Sequence, residues 1–343
     1  MNTKFLKNTA ENIRLAGKIL AQGGLVAFPT ETVYGLGANA KKEDSVRGIF
    51  GAKERPADNP LIVHIANKED LIGLTEDVPK SAEKLMDLFW PGPLTMIFRR
   101  AECVPDIVTA GLDTVAVRMP ADSTALELIH VAGVPIAAPS ANRSGRPSPT
   151  SAKYVMEDLD GRIDAVLDGG DCAVGVESTV LDMSGEIPTL LRPGAVTLEQ
   201  LKEVLGEVKG GKSVQGAEVP KSPGMKYKHY APRAEVRIIR GDIGDWERYA
   251  IKAGQTCRVG ILTFDEYAEF FSHMPVCSLG SNKNPNQAAN RLFRSLREMD
   301  EKGVELILAP EIPQDGMWLA VRNRLYKAAG EQVFDALEEG KQN

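Results

Sequence analysis

Closely spaced cysteine and histidine residues are what this 343-residue sequence most clearly lacks. Its four cysteines, Cys103, Cys172, Cys257 and Cys277, form no C-x-x-C pair, and its four histidines are equally dispersed. Structural zinc sites need such pairs at short spacing, and disulfide frameworks belong to short, cysteine-rich secreted chains. We therefore expect neither kind of site, and we expect a reducing cytoplasm as the compartment.

Charge of one sign and long apolar runs are also scarce. The formal net charge is −6, and no segment reaches the roughly 20 apolar residues that a transmembrane helix needs. The N-terminal residues include Asn and Glu where a signal peptide requires an apolar block. These features argue against a large nucleic-acid surface, a membrane anchor and secretion. A chain of this length that is 43% hydrophobic can form two globular domains.

Apolar strand patterns alternate with amphipathic helical patterns in two stretches of the chain, which predicts α/β folds with mainly parallel or mixed sheets. The first stretch begins with a helix over 9–22 and closes with a helix over 197–206, where Thr197 and Gln200 fit a capping box. Its strands are predicted at 24–29, 60–66, 94–99, 114–119, 134–139, 164–170 and 178–183. The predicted domains are 1–208 and 234–343, joined by a Gly-, Lys-, Pro- and Ser-rich linker over 209–233.

Two glycine-containing motifs resemble nucleotide-binding loops but lack the required context. GEVKGGKS (206–213) matches the phosphate-loop pattern, yet a helix precedes it where the mechanism needs a strand, and VQGAEVPKSPG follows where it needs a helix. We interpret it as linker. GLGANA (35–40) matches a dinucleotide fingerprint, but a polar segment with Pro29 precedes it, so we interpret its glycines as a tight turn.

Hydroxyl and cationic side chains concentrate at predicted strand ends in the first domain. FPTETVYG would place Thr30, Thr32 and Tyr34 on one side of an extended segment as a wall for a small polar ligand, although a polar strand exit without a ligand is the alternative. Lys53 and Arg55 are two residues apart, so on an extended chain they would project together as a phosphate clamp, although a solvated charge run is the alternative.

Arg118 and His64 each have two interpretations from the residues alone. Arg118 lies on an interior-looking strand, where a guanidinium needs an anion, either a substrate carboxylate or a structural one. His64 within PLIVHIA is typical of a buried core histidine. Farther along, Ser140, Asn142 and Arg143 follow one strand, as in α/β ligand crevices, although a turn-rich loop before a helix capped at Thr150 or Ser151 is the alternative.

Ser178, Thr179 and Arg192 also lie at predicted strand ends.

The sequence offers no G-x-S-x-G motif, no Cys–His neighbourhood and no metal-ligand cluster. A site built from strand-end hydroxyls and cations acts by positioning and electrostatics, as in nucleotidyl or phosphoryl transfer.

Seven motifs in order closely resemble one family, the threonylcarbamoyl-AMP synthases, in their two-domain YrdC-like form. The motifs are FPTETVYGLGANA, KERPADNPL, PGPLT, VAVRMP, PSANRSGRPSPT, ESTVLD and LRPGA. The WLAVRNRLYKAAG segment of the second domain fits as well, so the resemblance covers essentially the whole chain. It implies a twisted, open mixed sheet with a concave cavity, followed by a smaller Rossmann-like α/β domain.

The resemblance also implies an activity. ATP, L-threonine and bicarbonate would give L-threonylcarbamoyl-AMP and pyrophosphate, with Mg²⁺ arriving on ATP and without dedicated protein ligands. The product would pass to the transferase machinery that modifies an adenosine in tRNAs reading ANN codons. An RNA-binding module without nucleotidyl transfer is the alternative, and the negative net charge disfavours it. A carbamoyl-adenylate enzyme of hydrogenase maturation is excluded, because its zinc fingers would need C-x-x-C pairs.

Residue roles carried over from the family divide into two sets. Threonine would contact Thr32, His64, Arg118 and Ser178, with Arg118 on its carboxylate. ATP would contact Lys53, Arg55, Asn59, Thr114, Ala138 through its backbone, Ser140, Asn142, Arg192 and Tyr230. Lys53 and Arg55 would also offset charge during the reaction. The linker segment KSPGMKYKHYAP (221–232), with Lys226, His229 and Tyr230, would act as a lid over the nucleotide.

Overall fold

A computed structural model of the chain describes residues 2–210 and 229–336. Contacts divide the chain into two compact units, one of residues 1–144 and 148–227 and one of residues 145–147 and 228–343. Most of the predicted linker, including Lys226 and the end of GEVKGGKS, lies outside the described residues. The boundaries at 208 and 233, and the lid, stay predictions.

The described part of the first unit contains one open sheet of eleven strands in the order β1-β8-β2-β3-β7-β4-β6-β5-β9-β10-β11. Parallel and antiparallel neighbours both occur, which confirms the predicted mixed sheet. The strands are β1 (Lys4–Lys7), β2 (Val26–Phe28), β3 (Gly35–Asn39), β4 (Ile62–His64), β5 (Leu94–Arg99), β6 (Thr114–Arg118), β7 (Ile136–Ala138), β8 (Ala165–Asp168), β9 (Thr179–Asp182), β10 (Thr189–Arg192) and β11 (Lys209–Gly210).

The first and last helices of the first unit lie where the sequence signals predicted them. Thr9 caps the first helix by accepting from the Asn12 amide at 3.3 Å, and Gly23 ends it with a φ of 106°. Thr197 and Gln200 form the predicted capping box of the last. The helices are α1 (Ala10–Gln22), α2 (Glu43–Lys53), α3 (Lys80–Phe89), α4 (Asp106–Thr109), α5 (Ser123–Ala132), α6 (Ala152–Leu159) and α7 (Leu198–Leu205), with a 3₁₀ turn at Lys68–Leu71.

The interpretation of GLGANA as a tight turn is wrong, because Gly35–Asn39 is the fully buried strand β3. It pairs with β2 on one side and β7 on the other. A Cβ at Gly37 would lie 2.9 Å from Ile136 Cγ2 and 3.0 Å from the Phe28 ring. Glycine is therefore required there by close packing, not by a turn conformation.

The second unit is a parallel sheet of five strands in the order β14-β13-β15-β12-β16, counted over its described residues. Helices connect its strands, as expected for the Rossmann-like fold that was predicted. The strands are β12 (Glu235–Arg240), β13 (Val259–Thr263), β14 (Val276–Ser278), β15 (Leu306–Pro310) and β16 (Val333–Asp335). The helices are α8 (Ile243–Ala253), α9 (Asp265–Ala268), α10 (Pro285–Glu301) and α11 (Trp318–Ala328), with a 3₁₀ turn at Glu269–Phe271.

Buried apolar side chains lie on both faces of the first sheet. The larger cluster includes Val63, Val117 and Leu181, and the smaller one packs α1 and α5 against the other face through residues such as Leu20 and Leu128. A sheet covered on both faces exposes its strand ends, and polar groups collect there. Across 2–210 and 229–336, no helix combines the length and apolar content that membrane crossing requires.

Candidate active site

One edge of the first sheet brings together the residues predicted to contact threonine. His64 ends β4 and Arg118 ends β6, and the two face each other in the parallel register. Strand β5 runs antiparallel to β6 and β9 runs parallel to β5, so the starts of β5 and β9 lie at this same edge. Ser178, which immediately precedes β9, is therefore placed at the edge too.

Arg118 is the centre of this cluster, and it is 3% exposed. Its Nη1 donates to Thr32 Oγ1 at 2.8 Å, and its Nε donates to the Gly92 carbonyl at 3.2 Å. Its Nη2 lies 2.7 Å from Glu31 Oε1. Of the two anions that the sequence left open, the structural carboxylate is the one that the guanidinium contacts in this structure.

Glu31 is held as an anion by this contact. Burial acts to raise the pKa of its carboxyl, but the charge and hydrogen bond of the Arg118 guanidinium outweigh burial and keep the pKa below its ordinary value. The carboxylate is thus a negatively charged group beside the cation that is predicted to bind a substrate carboxylate. A substrate carboxylate and Glu31 would compete for the same guanidinium.

Residues 29–34 form a turn, and the prediction of an extended hydroxyl-lined wall is therefore wrong. Thr30 Oγ1 donates to the Val33 carbonyl at 2.6 Å, which closes the turn and brings the Thr30 and Thr32 hydroxyls to 2.8 Å. Tyr34 is buried apart from them and donates to the Gly170 carbonyl at 2.7 Å. The turn delivers the Thr32 hydroxyl to Arg118.

His64 is buried and uncharged at neutral pH. Desolvation, reinforced by the positive charge of Arg118, lowers the pKa of its imidazole to about 3. Its Nδ1 lies 3.2 Å from the Ile62 carbonyl, and its ring makes an edge contact with Phe28. A neutral imidazole beside Arg118 can exchange a hydrogen bond with a polar ligand without adding a second positive charge.

Ser178 and Arg192 are joined to each other. Arg192 donates from Nε to the Ser178 carbonyl at 3.0 Å and from Nη2 to Ser178 Oγ at 3.1 Å. The Ser178 hydroxyl also lies 2.7 Å from the hydroxyl of Thr95. A residue predicted for threonine and one predicted for ATP therefore share one buried network.

Lys53 forms a second polar cluster with the loop after β7. Its ammonium donates to the carbonyls of Ser140 and Asn142 and lies 3.4 Å from Asn142 Oδ1. Ser140 Oγ in turn donates to Asn142 Oδ1 at 2.6 Å. The cluster fixes the conformation of a strand-end loop with a buried positive charge beneath it.

The expected pairing of Lys53 with Arg55 on extended chain is wrong. Lys53 is the last residue of α2, and Glu54 follows in a left-handed conformation with a φ of 54°, so the two cations diverge. Lys53 is 1% exposed, whereas Arg55 is partly buried and donates to the carbonyls of Asn59 and Pro60 at 3.2 and 3.3 Å. Arg55 orders its own proline-containing loop.

The remaining predicted ATP contacts of the first unit lie at other strand ends. Thr114 begins β6 and Ala138 ends β7, both buried. Asn59 is also buried, and no group in the described residues donates to its Oδ1. A buried acceptor of this kind can receive a hydrogen bond from a ligand at little cost.

Tyr230 belongs by its contacts to the second unit. It is buried, adopts a φ of 66°, and its ring lies 5.2 Å from that of Phe293 in α10. Its neighbour Ala231 donates to the Gly145 carbonyl at 2.9 Å. The ATP contact of Tyr230 stays a prediction.

Sequence reasoning missed Glu31 and Thr95 as members of the site. Thr95 sits inside an apolar strand pattern, and a hydroxyl in such a strand gives no distinctive signal. Glu31 was detectable, since it is the one carboxylate in FPTETVYG, flanked by two threonines and followed by a buried run. An acid in such a setting indicates a buried partner of opposite charge.

Comparison with known proteins supports the resemblance drawn from the motifs. A family model for Sua5, YciO and YrdC proteins, described as "Telomere recombination", matches residues 18–194. A model described as "Threonylcarbamoyl-AMP synthase, C-terminal domain" matches residues 196–330.

Individual relatives match over nearly the whole chain. The threonylcarbamoyl-AMP synthase of Pyrococcus abyssi is 48% identical over 335 residues, 94% of this chain and 95% of that protein. The enzyme of the same name from Bacillus subtilis is 48% identical over 97% of each. A crystal structure of P. abyssi Sua5 complexed with L-threonine superposes with a TM-score of 0.89 at 46% identity, covering 98% of this chain and 99% of that one.

The burial of neutral His64 predicts a pH dependence of stability. Between about pH 3 and pH 6.5 the unfolded chain binds a proton at this position and the folded chain does not, so the free energy of unfolding falls as the pH drops through this window. His64→Gln should remove a slope of up to about 1.4 kcal/mol per pH unit in urea unfolding followed from pH 7 to pH 4. His130, which is exposed on α5, is the matched control position. An equal change of slope in His130→Gln would show that burial of His64 is not the cause.

Proposed function

The chain belongs to the threonylcarbamoyl-AMP synthase family, and we propose that it acts as such a synthase, converting ATP, L-threonine and bicarbonate into L-threonylcarbamoyl-AMP and pyrophosphate. The observation that carries the proposal is the environment of Arg118. The Arg118 guanidinium is buried at a strand end and surrounded by the Thr32 hydroxyl, the neutral His64 ring and an exchangeable carboxylate. This arrangement suits the carboxylate of a small hydroxy amino acid.

In this proposal L-threonine displaces Glu31 from Arg118. The substrate carboxylate takes up the charge-assisted hydrogen bonds of the guanidinium, while Thr32, His64 and Ser178 supply polar partners for the amine and hydroxyl of threonine. Neutral His64 is important here because a second cation would hold the substrate amine in an unfavourable field. The site therefore favours a substrate that carries one carboxylate and two neutral hydrogen-bonding groups, here the free amine and the hydroxyl of threonine.

MgATP binds, in the same proposal, along the loops after α2 and β7. Lys53 acts as a fixed positive charge beneath the Ser140–Asn142 loop, whose backbone and side chains face the nucleotide together with Ala138. Arg55, Thr114 and Arg192 complete the contacts, the buried Asn59 acceptor takes a donor from the nucleoside, and Tyr230 adds an aromatic contact. In this proposal Mg²⁺ arrives bound to the phosphates of ATP, without dedicated protein ligands.

The chemistry needs two bond-forming steps. The free amine of threonine attacks the carbon of carbon dioxide, losing a proton and forming a carbamate. With bicarbonate as the electrophile, the same N–C bond forms while a C–O bond breaks and water leaves. A carbamate oxygen then attacks the α-phosphorus of ATP, and the bond to the β-phosphate oxygen breaks to release pyrophosphate. Lys53, Arg55 and Mg²⁺ offset negative charge on the phosphates, so positioning and electrostatics account for catalysis.

The product is a mixed anhydride of a carbamate and AMP, which is an activated acyl donor. A transferase that delivers the threonylcarbamoyl group to a nucleophilic amine, here an adenosine in tRNA, must consume it. The downstream transferase machinery and the cytoplasmic location stay part of this proposal.

Pyrophosphate release from ATP is the direct test of the proposed function. We expect release that requires L-threonine and bicarbonate together, and a product that contains threonine, one carbon from bicarbonate and AMP. Release that ignores either substrate would contradict the synthase reaction. Salt-dependent RNA binding without any turnover would instead favour the alternative of an RNA-binding module.

Replacement of Arg118 tests the carboxylate contact. Truncating one partner of a buried charge pair costs about 2–5 kcal/mol, so Arg118→Ala should raise the KM for threonine by roughly 30-fold or more while the KM for ATP changes little. Arg14, exposed on α1, offers the control Arg14→Ala. An unchanged threonine KM in a folded Arg118→Ala protein would refute the assignment.

Glu31→Gln tests the exchange of carboxylates at Arg118 with two opposite readouts. The variant should melt at a lower temperature without ligand, because a buried guanidinium loses its counter-charge. It should bind threonine more tightly in calorimetry, since the substrate no longer displaces an anion. Glu54→Gln is the matched control, as Glu54 pairs with Arg143 and Arg162 at the surface. Weaker threonine binding with unchanged stability would mean that Glu31 contacts the substrate directly.

A further inference from the structure

The topology of the second unit creates a crevice that the proposed function does not use. Its chain runs from β12 to β13 and on to β14 in one direction across the sheet, then reverses to β15 and β16. Strands β13 and β15 are parallel neighbours, so the connections that follow them leave from the same end of the sheet. The connection after β13 leads towards β14, and the one after β15 leads the other way, towards β16. In open α/β sheets, ligands bind at the strand carboxyl ends where connections diverge in this way.

A cavity of about 740 Å³ lies at that point. Its lining comes from the ends of three strands, represented by Asp242 after β12, Thr263 at the end of β13 and Glu311 after β15, with Trp246 of α8 and Trp318 of α11 beside them. Its volume falls in the range of small-molecule sites.

Two buried polar groups of the lining are left without hydrogen bonds. Thr263 is fully buried and Trp246 is 6% exposed, and neither Thr263 Oγ1 nor Trp246 Nε1 has a partner among the described residues. Trp90 of the first unit shows the usual arrangement, with its Nε1 donating to the Leu94 carbonyl at 2.7 Å. An unsatisfied buried polar group destabilises the fold, so a donor and a hydroxyl on two residues that line one cavity indicate a ligand that carries acceptors.

The charges of the lining disfavour an anionic ligand. Arg240 is already engaged by Glu311 in two contacts of 3.0 Å. Asp242 is ionised and accepts from the Asp245 amide at 2.8 Å, so it occupies the amino terminus of α8 that would otherwise attract phosphate. One guanidinium and two carboxylates leave a net negative charge, suited to a ligand that presents hydroxyl or amino donors to the carboxylates.

Aromatic side chains provide flat walls. The rings of Phe264 and Trp318 lie 5.7 Å apart and nearly perpendicular, and both residues line the cavity together with Trp246. Tyr267, 41% exposed, is a further ring of the lining. Such walls favour a planar heteroaromatic ring.

We propose that this cavity binds an uncharged nucleoside at a site separate from the ATP site of the first unit. Acceptors of the base receive hydrogen bonds from Trp246 Nε1 and Thr263 Oγ1, the base lies against the aromatic walls, and ribose hydroxyls donate to the carboxylates of Asp242 and Glu311. The absence of an available cation in this lining sets it apart from a site for nucleotides.

The positions of the tryptophans allow binding at this cavity to be measured separately from binding to the first unit. The chain has three, of which Trp246 and Trp318 line the cavity and Trp90 lies in the first unit. The full chain labelled with 5-fluorotryptophan is titrated with adenosine, and the three ¹⁹F resonances are assigned by single Trp→Phe variants. We expect saturable shifts of the Trp246 and Trp318 resonances with Trp90 unmoved, and at least tenfold weaker binding of AMP. Unmoved Trp246 and Trp318 resonances at millimolar adenosine, or AMP binding as tight as adenosine, would overturn the proposal.

Replacing Thr263 by valine, which has nearly the same shape, tests the Thr263 hydroxyl without leaving a cavity in the core. Thr263→Val should weaken adenosine binding about tenfold, the effect of one hydrogen bond, and leave pyrophosphate release unchanged. Thr256→Val is the matched control, because the Thr256 hydroxyl donates to the Ala253 carbonyl on an exposed surface. Equal adenosine affinity in Thr263→Val and the wild type would remove Thr263 from the site. Adenosine binding and pyrophosphate release are measured independently, so a failure of the proposed synthase reaction is distinguishable from a failure of the proposed nucleoside site.

Discussion

The burial of a guanidinium at the edge of the first sheet is the constraint on which the site depends. Arg118 is almost wholly removed from water, so it must be surrounded by acceptors at every nitrogen. Thr32 and the Gly92 carbonyl accept hydrogen bonds from two of its nitrogens, and Glu31 lies in ion-pair contact with the third. The turn at residues 29–34, the start of β5 and the burial of neutral His64 are all consistent with a site built around that one cation.

A second consequence is that charge in the site is fixed before any substrate arrives. Lys53 lies under the loop after β7, and Arg192 is bonded to Ser178 on both the backbone and the side chain. Cations held by carbonyls and hydroxyls need little reorganisation when a polyphosphate binds. A site of this kind suits a reaction in which a carbamate and a phosphate must be brought together and their repulsion reduced.

The two units use the same general principle with opposite charge. Both place polar groups at the ends of strands, where loops can carry function without disturbing a packed sheet. The first unit collects buried cations at these ends, whereas the crevice of the second is lined by carboxylates, indole rings and a hydroxyl. The polarity of each site therefore comes from the last residues of the strands and from the loops that follow them, not from the packed interior of the sheet.

Local sequence patterns by themselves determined the α/β class, the starts of the first and last helices of the first unit at Thr9 and Thr197, and the existence of the two strands that contain His64 and Arg118. Each of these is encoded by neighbouring residues. The ordered motifs also indicated the family. Only the tertiary structure decided that Glu31 is the partner of Arg118, that GLGANA is a buried strand, and that Lys53 and Arg55 diverge. The Glu31–Arg118 pair joins residues that are far apart in the chain, and the burial of GLGANA depends on how closely two strands approach, so no local pattern records either. The divergence of Lys53 and Arg55 follows from the end of α2 at Lys53, whose ammonium contacts the distant carbonyls of Ser140 and Asn142.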